Sequence, residues 1–343
     1  MKIVVLAGGL SPEREVSLSS GTLIANALIG RGHRVLLLDL YRGMPDLPAD
    51  TDRLFRDQPY APYQVTEQVP DLERLRREVG IGDAWVGSNV AYLCGMADRV
   101  FLALHGAMGE NGQLQAYLDS QGIGYTGSGH TGCLLAMDKE LSKRLFRDAG
   151  IPTPEWVWFD TQNGVLEDLV ARIGLPCVVK PNDCGSSVGV SIVETRRALE
   201  TALSEAAKWG RRVLVEKKIT GRELTVGVLD GRALPPVEII PESGFYDYKN
   251  KYQGTTREVC PAELSADVTA RLSELSLRAF EVLRLSGYAR FDYILDADGT
   301  PWCLEANALP GMTPTSLLPQ EAAAVGIGYP ELCETILRLS MKR

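Results

Sequence analysis

Residues Arg290–Asn307, RFDYILDADGTPWCLEAN, set two runs of alternating apolar and polar residues around Asp298-Gly299. Asp-Gly between such runs is a strong two-residue hairpin signal, because a type I′ turn needs positive φ at both central positions. That turn pairs Ala297 with Thr300. Counting back along both strands sets Asp292 opposite Glu305 and Arg290 opposite Asn307. Side chains alternate along a strand, so all four share one face. Two carboxylates opposed across strands repel, so something positive must sit between them. Two carboxylates and an amide carbonyl form an all-oxygen set of the kind that holds Mg²⁺ jointly with substrate phosphates. The same residues read equally well as a surface ion-pair network.

The remainder of the chain limits the context. Its 343 residues exceed one ordinary core and imply two or three domains. With 45% hydrophobic and 23% charged residues the composition is that of a soluble globular protein. A net charge of −8 argues against broad nucleic-acid or membrane-surface binding, which needs basic patches. The seven cysteines are scattered, with neither C-x-x-C nor zinc-finger spacing, as expected of small core residues in a reducing compartment. The opening MKIVVLAGG is too short for a signal-peptide core, and no segment is apolar and long enough to span a bilayer, so a cytoplasmic protein is expected.

The first third alternates strand and helix: IVVLA (3–7), a helical run from Glu13, RVLLLDL (34–40), RVFLALHG (99–106), then GQLQAYLDSQG. This pattern predicts an α/β parallel sheet with functional loops at the strand C-termini. The stretch 41–97 is less regular, with one helix predicted over 71–80. A single helix is expected from His130 to Ala149, stopped by Gly150 and Pro152. Strands follow at 175–181, 212–219 and 223–240, the last with its own Asp230-Gly231 turn, and helices near 196–209 and 329–340.

Four further stretches carry possible chemistry. KPNDCGSSVGV (180–190) places Lys180 before a glycine-serine loop that could cradle phosphate, although it is not a Walker A motif and also fits a plain hairpin tip. Lys139 opens a helix in MDKELSK and could converge with Lys180 on a polyphosphate, or simply be solvated. The loop 245–265, FYDYKNKYQGTTREVCPAELS, is rich in tyrosine and lysine, like a lid or a packed surface cluster of Tyr246, Tyr248 and Tyr252. LAGGLSPEREVS ends the first strand in Gly8-Gly9 without G-x-G-x-x-G. It puts Ser11 near a helix cap and Glu13 in the first turn.

Taken in order, GGLSPEREVSLSSG, LHGAMGENGQLQ, YTGSG, MDKELSK, VVKPNDCGSSVGV, VEKKITGRELTV, FYDYKNKY, RFDYIL and LEANALPGMTPTSLLPQ closely resemble the D-alanine–D-alanine ligases of the ATP-grasp superfamily. The resemblance covers nearly the whole chain. It implies a three-domain ATP-grasp architecture, α/β and in part α+β, with an N-terminal parallel-sheet domain at 1–127, a central subdomain at 128–215 and a C-terminal subdomain at 216–343.

By that resemblance Lys139 and Lys180 contact ATP phosphates. Glu216, Lys217 and Ile219 read the adenine edge, Glu223 holds the ribose, and Lys251 joins the ATP site. Asp292, Glu305 and Asn307 bind two Mg²⁺ ions, with Mn²⁺ able to substitute. Arg290 and the Gly311 N–H stabilise the acyl phosphate and the tetrahedral intermediate. Glu13 engages the first substrate's ammonium, and His105 lies near the substrates. Ser316 and Leu317 hold the second substrate's carboxylate, and Ser186 and Tyr252 join Glu13 in a hydrogen-bonded set. The implied activity is ADP-forming ligation of two D-alanines for peptidoglycan precursor synthesis by a homodimer, without nucleic-acid or membrane partners. Alternatives are a D-alanine–D-serine or D-alanine–D-lactate ligase, or a non-catalytic ATP-binding homologue. Tyr252, where ester-forming members often carry histidine, favours an amine nucleophile. Three departures stand out: Cys184 before the G-S-S triplet, the long 41–97 segment, and Ala308 where threonine is common.

Overall fold

The computed structural model describes residues 1–65, 70–182, 189–241 and 256–342. In the N-terminal unit, strands β1 (Lys2–Ala7), β2 (Arg34–Asp39) and β3 (Arg99–Leu102) form a parallel sheet in the order β2-β1-β3. Helix α1 (Arg14–Gly30) packs on it, and the short helices α2 (Leu72–Val79), α3 (Val90–Gly95), α4 (Ala107–Glu110) and α5 (Gln113–Ser120) complete the unit. The run Ile3–Ala7 is fully buried, as a strand covered on both faces requires. Gly8 and Gly9 both have positive φ, and a Cβ at Gly8 would stand 2.8 Å from the Asp39 carboxyl carbon. Only glycine allows the chain to leave β1 this way.

The expected helix from His130 to Ala149 is two helices, α6 (His130–Met137) and α7 (Lys139–Asp148). Asp138 interrupts them with extended backbone (ψ 99°) and caps α7 by accepting the Leu141 N–H. Breaking the helix frees N–H groups at its new start, and Asn182 takes two of them, from Lys139 at 3.3 Å and Glu140 at 2.9 Å.

The central sheet, ordered β4-β7-β5-β6, is antiparallel and joins β4 (Trp156–Asp160), β5 (Cys177–Pro181), β6 (Ser191–Val193) and β7 (Arg212–Lys217). Helices α8 (Leu166–Ile173) and α9 (Arg196–Ala206) cover it. The third sheet runs β11-β10-β8-β12-β13, with β9 also on β8. Its strands are β8 (Arg222–Leu229), β9 (Arg232–Ala233), β10 (Val237–Pro241), β11 (Thr256–Val259), β12 (Tyr288–Leu295) and β13 (Pro301–Asn307). Three more helices follow among the described residues: α10 (Ala266–Val282), α11 (Leu317–Ala324) and α12 (Tyr329–Ser340). Helix α10 carries apolar residues at helical spacing (Leu272, Leu275, Ala279) behind a Ser265 cap. Helix α12 returns to the N-terminal unit, where Ile336 and Leu337 share a core with Leu28 and Val100.

The two Asp-Gly pairs form different turns. At Asp230-Gly231 both φ values are positive, 49° and 70°, as type I′ requires. At Asp298-Gly299 only Gly299 is positive, at 79°. The expected type I′ turn is absent there, because Asp296 Oδ1 accepts from both Asp298 N–H and Thr300 N–H and closes a three-residue loop. Asp296 therefore faces Thr300, and the register runs through Leu295–Pro301 to Tyr293–Cys303. A bulge at Leu304 then shifts it back, so that Asp292 faces Glu305 and Arg290 faces Asn307. The expected pairing is present because two one-residue offsets cancel. Without the bulge, Glu305 would point to the opposite face.

Candidate active site

The β12–β13 face carries its positive charge from the protein itself. Arg290 donates to Asp292 through Nε at 2.9 Å and Nη2 at 3.0 Å, a bidentate pair that fixes the guanidinium plane. Thr225 Oγ1 on β8 and Asn307 Nδ2 also donate to Asp292, at 2.7 and 3.0 Å. Glu305 meets Lys139 from the start of α7, at 3.4 Å. Glu305 and Asn307 line a small cleft with Glu110, Met137 and Lys139. Asp292, Glu305 and the Asn307 carbonyl are hard oxygen donors on one face, and that chemistry fits Mg²⁺. Among the described residues no group of three or more His, Cys, Asp or Glu is arranged to hold a metal. Two carboxylates and an amide suit an ion whose other ligands come from phosphate or water.

A second charged cluster lies on the central sheet. Val178 pairs with Glu216 and Lys180 with Leu214, so Lys180 and Glu216 are diagonal neighbours on one face. Lys180 Nζ donates to Glu216 Oε1 at 2.6 Å, and Lys143 Nζ of α7 lies 2.9 Å from Oε2. Burial pushes the Glu216 carboxyl up, but the two ammonium charges outweigh it and hold it below its usual range. Lys139 and Lys180 therefore meet different carboxylates. Lys143 carries no sequence signal beyond its i+4 spacing from Lys139, yet its side chain is 0% exposed.

At the C-terminal ends of β1 and β3, Glu13 occupies the N-cap position of α1 but makes no side-chain cap bond, rather than lying in the first turn. Ser11 does not cap either: its hydroxyl donates to the His105 carbonyl at 2.9 Å. A Cβ at Gly106 would stand 2.7 Å from Glu13 Oε2, so this glycine admits the carboxylate beside His105. His105 is buried, with Nδ1 3.6 Å from Glu110. Burial pulls the imidazole down, but Glu110 and Glu13 raise it past its ordinary value against the opposing charge of Arg290. The N-terminal unit and the β12 face thus act on one another electrostatically.

Gly311 and Ser316 approach closely, since a Cβ on Gly311 would stand 2.9 Å from Ser316 Oγ. That oxygen accepts from Thr313 N–H at 3.1 Å. Leu317 begins α11 and is buried against Val237 and Ile239 of β10. Lys217 ends β7 and is exposed, with its N–H on the Glu155 carbonyl at 2.9 Å. Ile219 lies half-buried just beyond β7, and Glu223 faces Ile239 and Ile294 in the third sheet. Ser186, Lys251 and Tyr252, with Cys184, Tyr246 and Tyr248, lie outside the described residues.

The family model described as D-ala D-ala ligase N-terminus matches residues 2–128, and that described as D-ala D-ala ligase C-terminus matches residues 145–338. The chain belongs to the D-alanine–D-alanine ligase family. The D-alanine–D-alanine ligase of Pediococcus pentosaceus is 41% identical over 344 residues, 98% of this chain and 97% of that one. A Synechococcus D-alanine–D-alanine ligase is 42% identical across 100% of this chain and 94% of its own. Among solved structures, the Bacillus anthracis D-alanine–D-alanine ligase complexed with ATP superposes with a TM-score of 0.76 at 31% identity, covering 100% of this chain and 98% of that one. These ligases share the ATP-grasp fold, so the three sheets described here are those of an ATP-grasp enzyme.

Proposed function

We propose that the protein joins two D-alanines into D-alanyl-D-alanine at the expense of ATP, the step that supplies the dipeptide for peptidoglycan precursors. One observation carries the reading: Lys139, which opens α7, lies 3.4 Å from Glu305 on the face that also holds Asp292, Asn307 and Arg290. A phosphate-binding cation and a hard-cation carboxylate set therefore share one cleft.

A carboxylate is a poor acceptor for an amine, so the γ-phosphoryl group of ATP is first transferred to the first D-alanine's carboxylate. ADP leaves and D-alanyl phosphate remains. Glu13 holds that substrate's ammonium, and Lys139 and Lys180 neutralise the phosphates. Glu216, with the chain at Lys217 and Ile219, reads the adenine edge, and Glu223 holds the ribose. Asp292, Glu305 and Asn307 would hold Mg²⁺, which spreads the charge of the transferring phosphoryl group. The amine of the second D-alanine, positioned by Ser316 and Leu317, then attacks the acyl carbon, and inorganic phosphate departs. Arg290, already fixed by its bidentate pair, and the Gly311 N–H donate to the oxyanion that forms.

We divide the chain at 127/128 and 215/216. Three separate sheets support three units, and the second division falls inside β7. A cytoplasmic homodimer completes the proposal. No helix among the described residues is long and apolar enough to cross a membrane. The test is phosphate release from Mg-ATP with D-alanine alone, and with D-serine, D-lactate or L-alanine added, the products identified by mass spectrometry. D-alanyl-D-alanine from D-alanine alone, without turnover of L-alanine, is the expected result. Absence of turnover with every one of these acids refutes the reading.

A further inference from the structure

Glu216 is a buried carboxylate between two lysines that differ in one respect. Lys180 is the penultimate residue of β5, beside the glycine-serine loop, with its side chain 7% exposed. Lys143 is 0% exposed and anchored twice, to Glu216 Oε2 at 2.9 Å and through a donated bond to Thr153 Oγ1 at 2.7 Å. Its ammonium also lies 5.4 Å from the Trp156 ring, within cation–π reach. One cation keeps a little exposure beside the loop, and the other is held wholly inside the protein.

That asymmetry matters if Lys180 serves the triphosphate, as the proposed function requires. Phosphate competes with Glu216 for the same ammonium. A buried carboxylate stripped of its counter-charge takes up a proton or turns away, since an unpaired buried charge costs more than the pair contributes. Lys143 cannot follow the phosphate, because its side chain has no exposure and Thr153 holds its nitrogen.

Resting on that reading, we propose that Lys143 is a positioning residue of the nucleotide site: the fixed counter-ion that keeps Glu216 ionised and aimed at the adenine edge while Lys180 transfers from Glu216 to the phosphates. Burial pulls the Lys143 ammonium down to about 8, and the charge of Glu216 works against that pull. The two groups therefore sustain each other's ionisation. Lys143 touches neither substrate nor reacting atoms and acts through Glu216 alone.

The experiment compares wild type with Lys143→Met, Glu216→Gln and the double variant. It reads kcat, KM for ATP and for D-alanine, the preference for ATP over GTP, and equilibrium ATP binding by calorimetry. Losing one close buried counter-charge should raise the KM and dissociation constant for ATP by about ten- to a hundredfold. The ATP-over-GTP preference should shrink in step, while kcat and the KM for D-alanine move little. In the Glu216→Gln background, Lys143→Met should add almost nothing, because the carboxylate it serves is already gone. If Lys143→Met fails to fold, the double variant, which removes the carboxylate that Lys143→Met leaves short of a counter-charge, and Thr153→Val, which only loosens the lysine, decide the matter. Thr153→Val should show a smaller change in the same constants. Unchanged ATP affinity and nucleotide preference in the folded variants, or effects of the two substitutions that simply add, overturn the proposal. A wild type that turns over no ATP with any amino acid refutes the ligase reading itself, and is thereby distinguished.

Discussion

Gly227→Ala tests whether the seat of α11 on β8 sets the geometry of the second-substrate end of the site. Gly227 faces Arg290 across the β8–β12 ladder. On its other side the ladder has a gap: β10 pairs as far as Thr225, and β9 begins at Val228. Glu321 of α11 fills it, its Oε1 accepting the Gly227 N–H at 2.9 Å in place of a strand carbonyl. A Cβ at Gly227 would stand 2.3 Å from Glu321 Oε2 and 2.6 Å from Leu318 Cδ1. Ordinary contact begins near ~3.5 Å, so about 1 Å must be found. Both side chains are 0% exposed, and a close-packed interior offers no room for them to rotate away. The helix must move instead, at a cost of about 1–3 kcal/mol for overpacking. Helix α11 starts directly after Ser316. A substrate-holding group misplaced by about 1 Å can cost up to ~10² in rate. Gly227→Ala should therefore lower the unfolding temperature and raise the KM for the second D-alanine. The KM for ATP should change less, because Glu216 and its lysines lie on another sheet and helix, and Glu223, although on β8, is held between Ile239 and Ile294 of the neighbouring strands. Adding Glu321→Ala removes the closer obstruction and opens space into which Leu318 can turn, so the double variant should recover part of the D-alanine KM. Thermal unfolding and phosphate release against D-alanine concentration read both effects. A single variant that behaves as wild type, or a double variant no better than the single, refutes the reasoning.

Arg290→Ala should lower kcat by about 10²–10³, the usual loss for one oxyanion donor, with little change in KM for ATP. Asp292 keeps its bonds from Thr225 and Asn307, so the variant should fold; a raised KM with unchanged kcat would remove Arg290 from this role. Chelation by EDTA should abolish phosphate release and excess Mg²⁺ restore it, and turnover persisting without a divalent ion would contradict the Asp292–Glu305–Asn307 assignment. Burial raises the Glu321 carboxyl well above its usual range, a shift that the Gly227 N–H and Arg290 only partly oppose. The folded protein then holds a proton that the unfolded chain releases. The stability from this group is full below the ordinary carboxyl pKa and is lost as pH rises towards the folded value. Glu321→Gln keeps an acceptor for Gly227 and should flatten that slope, so that its gain in unfolding temperature is larger at pH 8 than at pH 5. An equal gain at both pH values would show that Glu321 does not titrate differently in the fold.

Much of the site was legible because it depends on local periodicity. Alternation along 290–295 and 301–307 places Arg290, Asp292, Glu305 and Asn307 on one face, and their mutual bonds are those of a shared face. The apolar runs at 3–7, 34–40 and 99–106 mark the parallel sheet because strands buried on both faces need continuous apolar residues. Helix α10 also had local marks, a serine cap and apolar spacing, although it was not among the expected elements.

Other features depended on partners distant in the chain. Asp298-Gly299 has the same dipeptide as Asp230-Gly231 but a different turn, because Asp296 closes the loop and the Leu304 bulge restores the register. The helix break at Asp138 goes with docking of Asn182 on the new helix start, 44 residues along the chain from it. Lys143 and Glu321 look like ordinary helix-surface charges in sequence, yet each is buried against a strand from elsewhere in the chain. Sequence alone determined the residue types, the faces they share and the family motifs, because side-chain alternation and turn chemistry act over a few residues. Only the tertiary structure decided which cation meets which carboxylate and which charges are buried, because burial and ion pairing depend on elements brought together from far along the chain.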